Sequence, residues 1–167
     1  MSRYESEEMS TDDGGRIRWG KRGAGLLIFS EGQVLLTLRS GEVMDPYVWG
    51  IPGGRIEPGE EPIEAAIAEA QEELGLKLPS VPVVGPHVYK SGGFEYYTYA
   101  MPLSATQAKR LKPSLNWEND SWGWFRVDQL PVPMHPNVVR ALKHLAQTEK
   151  GMGSILTWML LLPFIPP

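Results

Sequence analysis

Residues 53–76 read GGRIEPGEEPIEAAIAEAQEELGL, and this stretch decides the fold. Proline at position 62 is pre-organised for a first helical turn and glycine at position 75 ends one, so the spacing predicts a helix over residues 62–74. Ile63, Ala66, Ile67, Ala70 and Leu74 share one face, at the spacing of a core-facing stripe. Glu69, Glu72 and Glu73 fall on another face, within one turn of each other. Like charges three and four residues apart destabilise a helix by a few tenths of a kcal/mol per pair, so folding does not ask for this cluster. A divalent cation reverses the sign, because clustered carboxylate oxygens are what a hard ion such as Mg²⁺ takes. Taken alone, the helix reads first as an ordinary solvated acidic face, and the upstream residues shift the reading toward a metal site.

Working outward, the glycine-rich residues 53–60 read as a turn that leaves backbone amides and carbonyls free for a ligand. Before it, residues 48–51 read as a short strand, and residues 24–30 and 33–39 as a hairpin joined through Ser30-Glu31-Gly32. After the helix, residues 83–90 and 94–101 read as a second hairpin, turning at Ser91-Gly92-Gly93. Residues 121–127 read as a further strand. Residues 137–147 form an amphipathic helix with Val138, Ala141, Leu142 and Leu145 on one stripe. The expected class is α/β, a mixed sheet with helices packed against it. Residues 1–15 read as a solvated, disordered arm, residues 16–150 as the domain, and residues 151–167 as an apolar tail.

The 167 residues carry a formal charge of −4, which argues against a nucleic-acid binder because such proteins show a basic field. A small phosphorylated ligand needs only one or two well-placed cations and stays open. There are no cysteines, which removes disulfides, thiolate metal sites and cysteine nucleophiles. The polar, acidic residues 1–13 lack the apolar stretch of a signal peptide, so cytoplasmic residence is the expectation. The run ILTWMLLLPFI at 155–165 is shorter than the ~20 apolar residues of a membrane span. Packing on the domain or across a homodimer interface is the expected use of that tail, ahead of surface attachment to a membrane.

At residues 54–76 the sequence resembles the Nudix box. That box has a glycine, five residues, a glutamate, seven residues, then arginine-glutamate-apolar-any-glutamate-glutamate-any-glycine-apolar. Gly54, Glu60, Glu69, Glu72, Glu73 and Gly75 stand at the fixed positions, and Ala70 and Leu76 at the apolar ones. Trp49-Gly50-Ile51-Pro52-Gly53-Gly54 looks like the usual lead-in. The resemblance implies a Nudix-type α/β/α sandwich and metal-dependent hydrolysis of a diphosphate linkage in a nucleoside diphosphate derivative, with water attacking phosphorus. It implies that Mg²⁺ or Mn²⁺ is bound by Glu72, Glu73 and the Gly53 carbonyl, with Glu69 a further ligand or the base that deprotonates water. Glu60 and Gly54 would support the motif. Arg39 resembles an arginine that meets a substrate phosphate, Arg55 is a second cation by position, and Glu118 resembles an acid assisting metal or water.

One position departs from the pattern: Ala68 stands where the box has an arginine that pairs with the nearby carboxylates. This keeps a second reading open, a non-catalytic nucleotide-binding or regulatory protein on the same fold. Retention of every acidic position favours the hydrolase. Among aromatic residues, Trp49, Trp122 and Trp124 read as core, ahead of stacking on a nucleobase. Tyr97 and Tyr99 share one strand face and Tyr96 takes the other, so at least one can border a ligand. Asn137 reads as a helix cap or a base contact, and His87, His135 and His144 show no metal spacing.

Overall fold

The computed structural model describes residues 22–147, with side chains through residue 144, and the backbone of residues 10–11 and 17–18. β1 (Ser10–Thr11) pairs antiparallel with β2 (Ile17–Arg18), so part of the segment read as an arm carries a backbone ladder. The apolar tail at 151–167, and with it the expected dimer contact, lies outside the described residues.

The sheet is built from β3 (Arg22–Ser30), β4 (Gln33–Arg39), β5 (Trp49–Gly50), β6 (Gly53–Arg55), β7 (Val84–Ser91), β8 (Phe94–Pro102) and β9 (Asn119–Arg126). Its order is β5-β4-β3-β8-β7, with β6 against β3 and β9 against β4. β3 and β8 are parallel from Arg22↔Glu95 to Phe29↔Pro102, and the other pairings are antiparallel, so the sheet is mixed as expected.

The apolar run of β3 is continuous because both of its faces are covered. Successive side chains alternate. Ala24, Leu26 and Ile28 pack with Ala65, Ala66, Ala70 and Leu74 of α1 (Pro62–Leu74). Leu27 points the other way, into a cluster with Val34, Leu36, Ala100, and Val138 and Leu142 of α3 (Pro136–Gln147). One helix on each face makes the α/β/α layering. Leu145, expected on the same stripe of α3, lies beyond the described side chains.

Three local expectations are corrected. The first hairpin stays paired only next to its turn, at Phe29↔Val34 and Ser30↔Gln33. Further along, β6 takes the edge of β3, and β4 swings away to pair with β5 and β9. Residues 53–55, expected as a turn, are that strand β6. Finally, α2 (Ala105–Arg110) was not anticipated, although its capping box is written in the sequence. The Ser104 hydroxyl accepts from the Gln107 amide, and the Gln107 carboxamide accepts from the Ser104 amide.

α1 matches its expected bounds. It has Pro62 in its first turn and ends at Gly75, whose φ of 60° lies in the left-handed region. The Gly75 amide donates to the Gln71 and Glu72 carbonyls. Ile63 and Ile67 are only partly buried against the core, while Ala65 joins Ala66, Ala70 and Leu74 inside. Glu73 is also inside, at 3% exposure, so the acidic face is only partly solvated.

Candidate active site

The register of β6 on β3 sets the site. The Leu26 amide donates to the Pro52 carbonyl at 3.0 Å, and the Ile56 amide donates to the Arg22 carbonyl at 3.1 Å. In an antiparallel ladder bonded and non-bonded positions alternate, so Gly53 and Arg55 are the positions whose backbone groups turn away from β3. The Gly53 amide instead donates to Glu73 Oε1 at 2.9 Å. Its carbonyl, on the same side of the strand, is left out of the β3 ladder.

The second oxygen of Glu73 accepts from Asn119 Nδ2 at 2.6 Å. Asn119, itself buried, begins β9 and so ties the sheet to the last turn of α1. Burial pushes Glu73 up to about 7, against the hydrogen bonds from Gly53 and Asn119 that favour its charged form. Glu118 raises it further and Arg39 lowers it.

Glu69 lies over the next glycine. A Cβ on Gly54 would sit 2.5 Å from Glu69 Cδ and 2.6 Å from its Oε2, so the box glycine is what gives this carboxyl its place. Burial is again the largest influence, and the fields of Glu72, Glu118, Glu60 and Glu57 add to it, carrying Glu69 up to about 7. Glu72 is exposed. Glu60 closes the turn before α1 by accepting from the Glu57 amide at 3.0 Å, a supporting part.

The two glycines that Glu73 and Glu69 lie against, Gly53 and Gly54, line a cavity of about 320 Å³, whose wall also includes Arg55, Glu118, Arg39 and Asn137. Arg39 reaches the cavity, but its fork is engaged by the loop after β4. Its Nη2 donates to the Met44 carbonyl at 2.6 Å and its Nε to the Met44 and Asp45 carbonyls at 3.0 and 3.2 Å. Arg55 pairs with Glu57 at 3.1 Å, and Glu118 Oε1 accepts from Asn116 Nδ2 at 3.1 Å. Tyr96 lines the cavity, whereas Tyr99 is core and Tyr97 packs under Arg22 at 5.2 Å. Asn137 is not the cap of α3: His135 is, its Nδ1 accepting from the Asn137 amide at 3.2 Å.

Among the described residues, no three His, Asp or Glu side chains are gathered at metal-holding distance as they stand. The reason is visible in their partners: Glu73 is turned onto Gly53 and Asn119, Glu118 onto Asn116, and Glu60 onto Glu57. The donor set still fits a hard divalent ion in kind. Its oxygens are carboxylates crowded into mutual repulsion beside a carbonyl outside the ladder.

Sequence reasoning missed Asn119 and Trp117. The first carries no local signal, because its partner is 46 residues away. The second could have been noticed: an indole inside Asn116-Trp117-Glu118-Asn119-Asp120 belongs to no apolar stripe.

The NUDIX domain profile matches residues 20–146 of this chain. Human diphosphoinositol polyphosphate phosphohydrolase 2 is 29% identical over 168 residues, covering 93% of this chain and 87% of the relative. A Bacillus subtilis protein, provisionally assigned as an 8-oxo-dGTP diphosphatase, is 29% identical over 121 residues, or 72% of this chain and 76% of its own. The crystal structure of a MutT NUDIX hydrolase from Burkholderia pseudomallei superposes with a TM-score of 0.58 at 25% identity, covering 74% of this chain and 95% of that one. With Glu73 and Glu69 held against Gly53 and Gly54, and with the family profile matching residues 20–146, the chain belongs to the NUDIX family and is a pyrophosphohydrolase of phosphorus-containing anhydrides.

Proposed function

We propose that the protein hydrolyses the diphosphate linkage of a nucleoside diphosphate derivative, using Mg²⁺ or Mn²⁺ held by Glu69, Glu72, Glu73 and the Gly53 carbonyl. The observation that carries this is the pair of carboxyls at Glu73 and Glu69, held against Gly53 and Gly54 of the cavity wall and both raised to about 7. Burying like charges together is unfavourable unless a cation joins them. Such an ion, when bound, neutralises the diphosphate and lowers the pKa of water.

The chain's own residues supply the rest. Glu69 sits over Gly54, a glycine of the cavity wall, and in this reading takes a proton from the attacking water. Each oxygen of Glu73 accepts one hydrogen bond and retains a lone pair for ligation. Glu72 is exposed, and its charge already acts on Glu69. Glu118 stands at the same cavity as an assisting carboxylate, and Arg39 holds the wall by binding loop carbonyls. Arg55, paired with Glu57, is a further cation of the cavity wall.

The test is product release from a panel of nucleoside diphosphate derivatives with Mg²⁺, with Mn²⁺ and with chelator. Cleavage should require metal. Glu73→Gln should lose at least about a hundredfold in kcat while keeping a native circular dichroism spectrum. A folded Glu73→Gln variant with near wild-type turnover would sink the proposed metal set.

A further inference from the structure

Trp117 is 66% exposed, yet it stands in the wall of the cavity that holds Gly53, Gly54 and Glu118. An indole left in water contributes nothing to the core, and the polar residues on either side give it no fold-building stripe. It directly precedes Glu118, so the ring and the carboxylate leave the backbone from Cα atoms about 3.8 Å apart. A nucleotide presents its base and its first phosphate across one sugar, which matches an aromatic surface next to an acidic, phosphate-handling one.

We propose that Trp117 is the surface on which the substrate's nucleobase stacks, selecting a base-bearing anhydride over a polyphosphorylated polyol. This rests on the hydrolytic reading above and names the substrate's organic part. The cations of the cavity point the same way. A polyol bearing many phosphates needs several uncommitted arginines or lysines. No described lysine lines this cavity, and its three arginines are engaged. Arg39 binds the Met44 and Asp45 carbonyls, Arg55 binds Glu57, and Arg22 lies over Tyr97 with Glu95 at 3.9 Å. Glu42 and Glu118 add negative charge to the wall. A stacked base, uncharged and flat, suits this wall; a dense polyanion does not.

The experiment is calorimetric titration of wild type, Trp117→Ala and Trp117→Phe with two non-hydrolysable probes in Mg²⁺. One probe is α,β-methylene-ADP and the other is methylenediphosphonate, which has no base. Stacking predicts that Trp117→Ala weakens the nucleotide probe about tenfold and Trp117→Phe by less than about threefold, with the base-free probe unchanged. The proposal is overturned if Trp117→Ala binds the nucleotide as wild type does, if both probes weaken together, or if wild type binds neither. Turnover separates the two readings. Nucleotide cleavage unaffected by Trp117→Ala removes the stacking and leaves the hydrolase. Trp117-dependent binding without cleavage of any anhydride leaves the stacking and removes the hydrolase.

Discussion

At the scale of single residues, the site turns on how its negative charge is held. Glu72 and Glu73 are neighbours in the chain, yet one is exposed and the other is 3% exposed with both oxygens hydrogen-bonded. In the box pattern an arginine stands before Glu69; here Ala68 occupies that position, exposed on α1. The neutral donors at Gly53 and Asn119 hold Glu73 without it. Ala68→Arg therefore meets no steric obstacle and adds a cation four residues before Glu72, an arrangement that contributes a few tenths of a kcal/mol at most. Its Tm should stay within about 2 °C of wild type, and kcat in Mg²⁺ should be equal or higher. A well-folded but inactive Ala68→Arg protein would show that the site has been rebuilt around alanine.

At the scale of elements, α1 is set by its ends. It enters through Pro62 and stops at Gly75, where the left-handed backbone brings a hypothetical Cβ against the Ser114 carbonyl. The turn that ends there carries Glu72 and Glu73, so the cap fixes the site as well as the helix. Gly59 offers an internal control, because its φ of 81° carries the same backbone preference with nothing within 4 Å of a Cβ. Gly59→Ala should cost about 1 kcal/mol from backbone strain alone. Gly75→Ala should cost roughly 2–3 kcal/mol, since strain and a backbone clash combine. Urea denaturation measures both; equal costs would show that the Ser114 contact relaxes freely. Turnover should fall further in Gly75→Ala, because its disturbance reaches the acids.

At the scale of the whole molecule, the buried acids make stability depend on pH in an unusual direction. Glu69 and Glu73 titrate near 7 in the folded protein, against a usual value of 4.5. Between those values the folded chain binds more protons than the unfolded one, so stability falls as pH rises and the loss is complete above about 7. For Glu73 the shift corresponds to roughly 3 kcal/mol at most. Half-buried Glu69 contributes less than its shift suggests, because solvent screens it. Glu95 and Asp128, both lowered by cationic partners, act in the opposite sense but at lower pH than this window. In chelator, Tm should be several degrees higher at about pH 5.5 than at about pH 8, and Mg²⁺ should restore much of the loss at the higher pH. Glu73→Gln should flatten the slope. A metal-free Tm that rises with pH over this range would contradict the arrangement.

What the sequence by itself determined were the features that depend on chain neighbours. The bounds of α1 followed from a proline, a glycine and a 3.6-residue apolar stripe, and the second hairpin from alternation around Gly92 and Gly93. The order of the acids, and with it the family, was equally local. The tertiary structure decided everything that rests on distant partners. The Gly53 amide reaches Glu73 across 20 residues and Asn119 reaches it across 46, so neither its burial nor its elevated pKa is written in the helix. Pairing with β3 turned the first three residues of the expected glycine turn into a strand and left the Gly53 carbonyl out of the ladder. Arg39, legible as a cation, is committed to loop carbonyls. Hydrophobic periodicity is a property of the segment, whereas desolvation and hydrogen-bond partnership are properties of the packed whole.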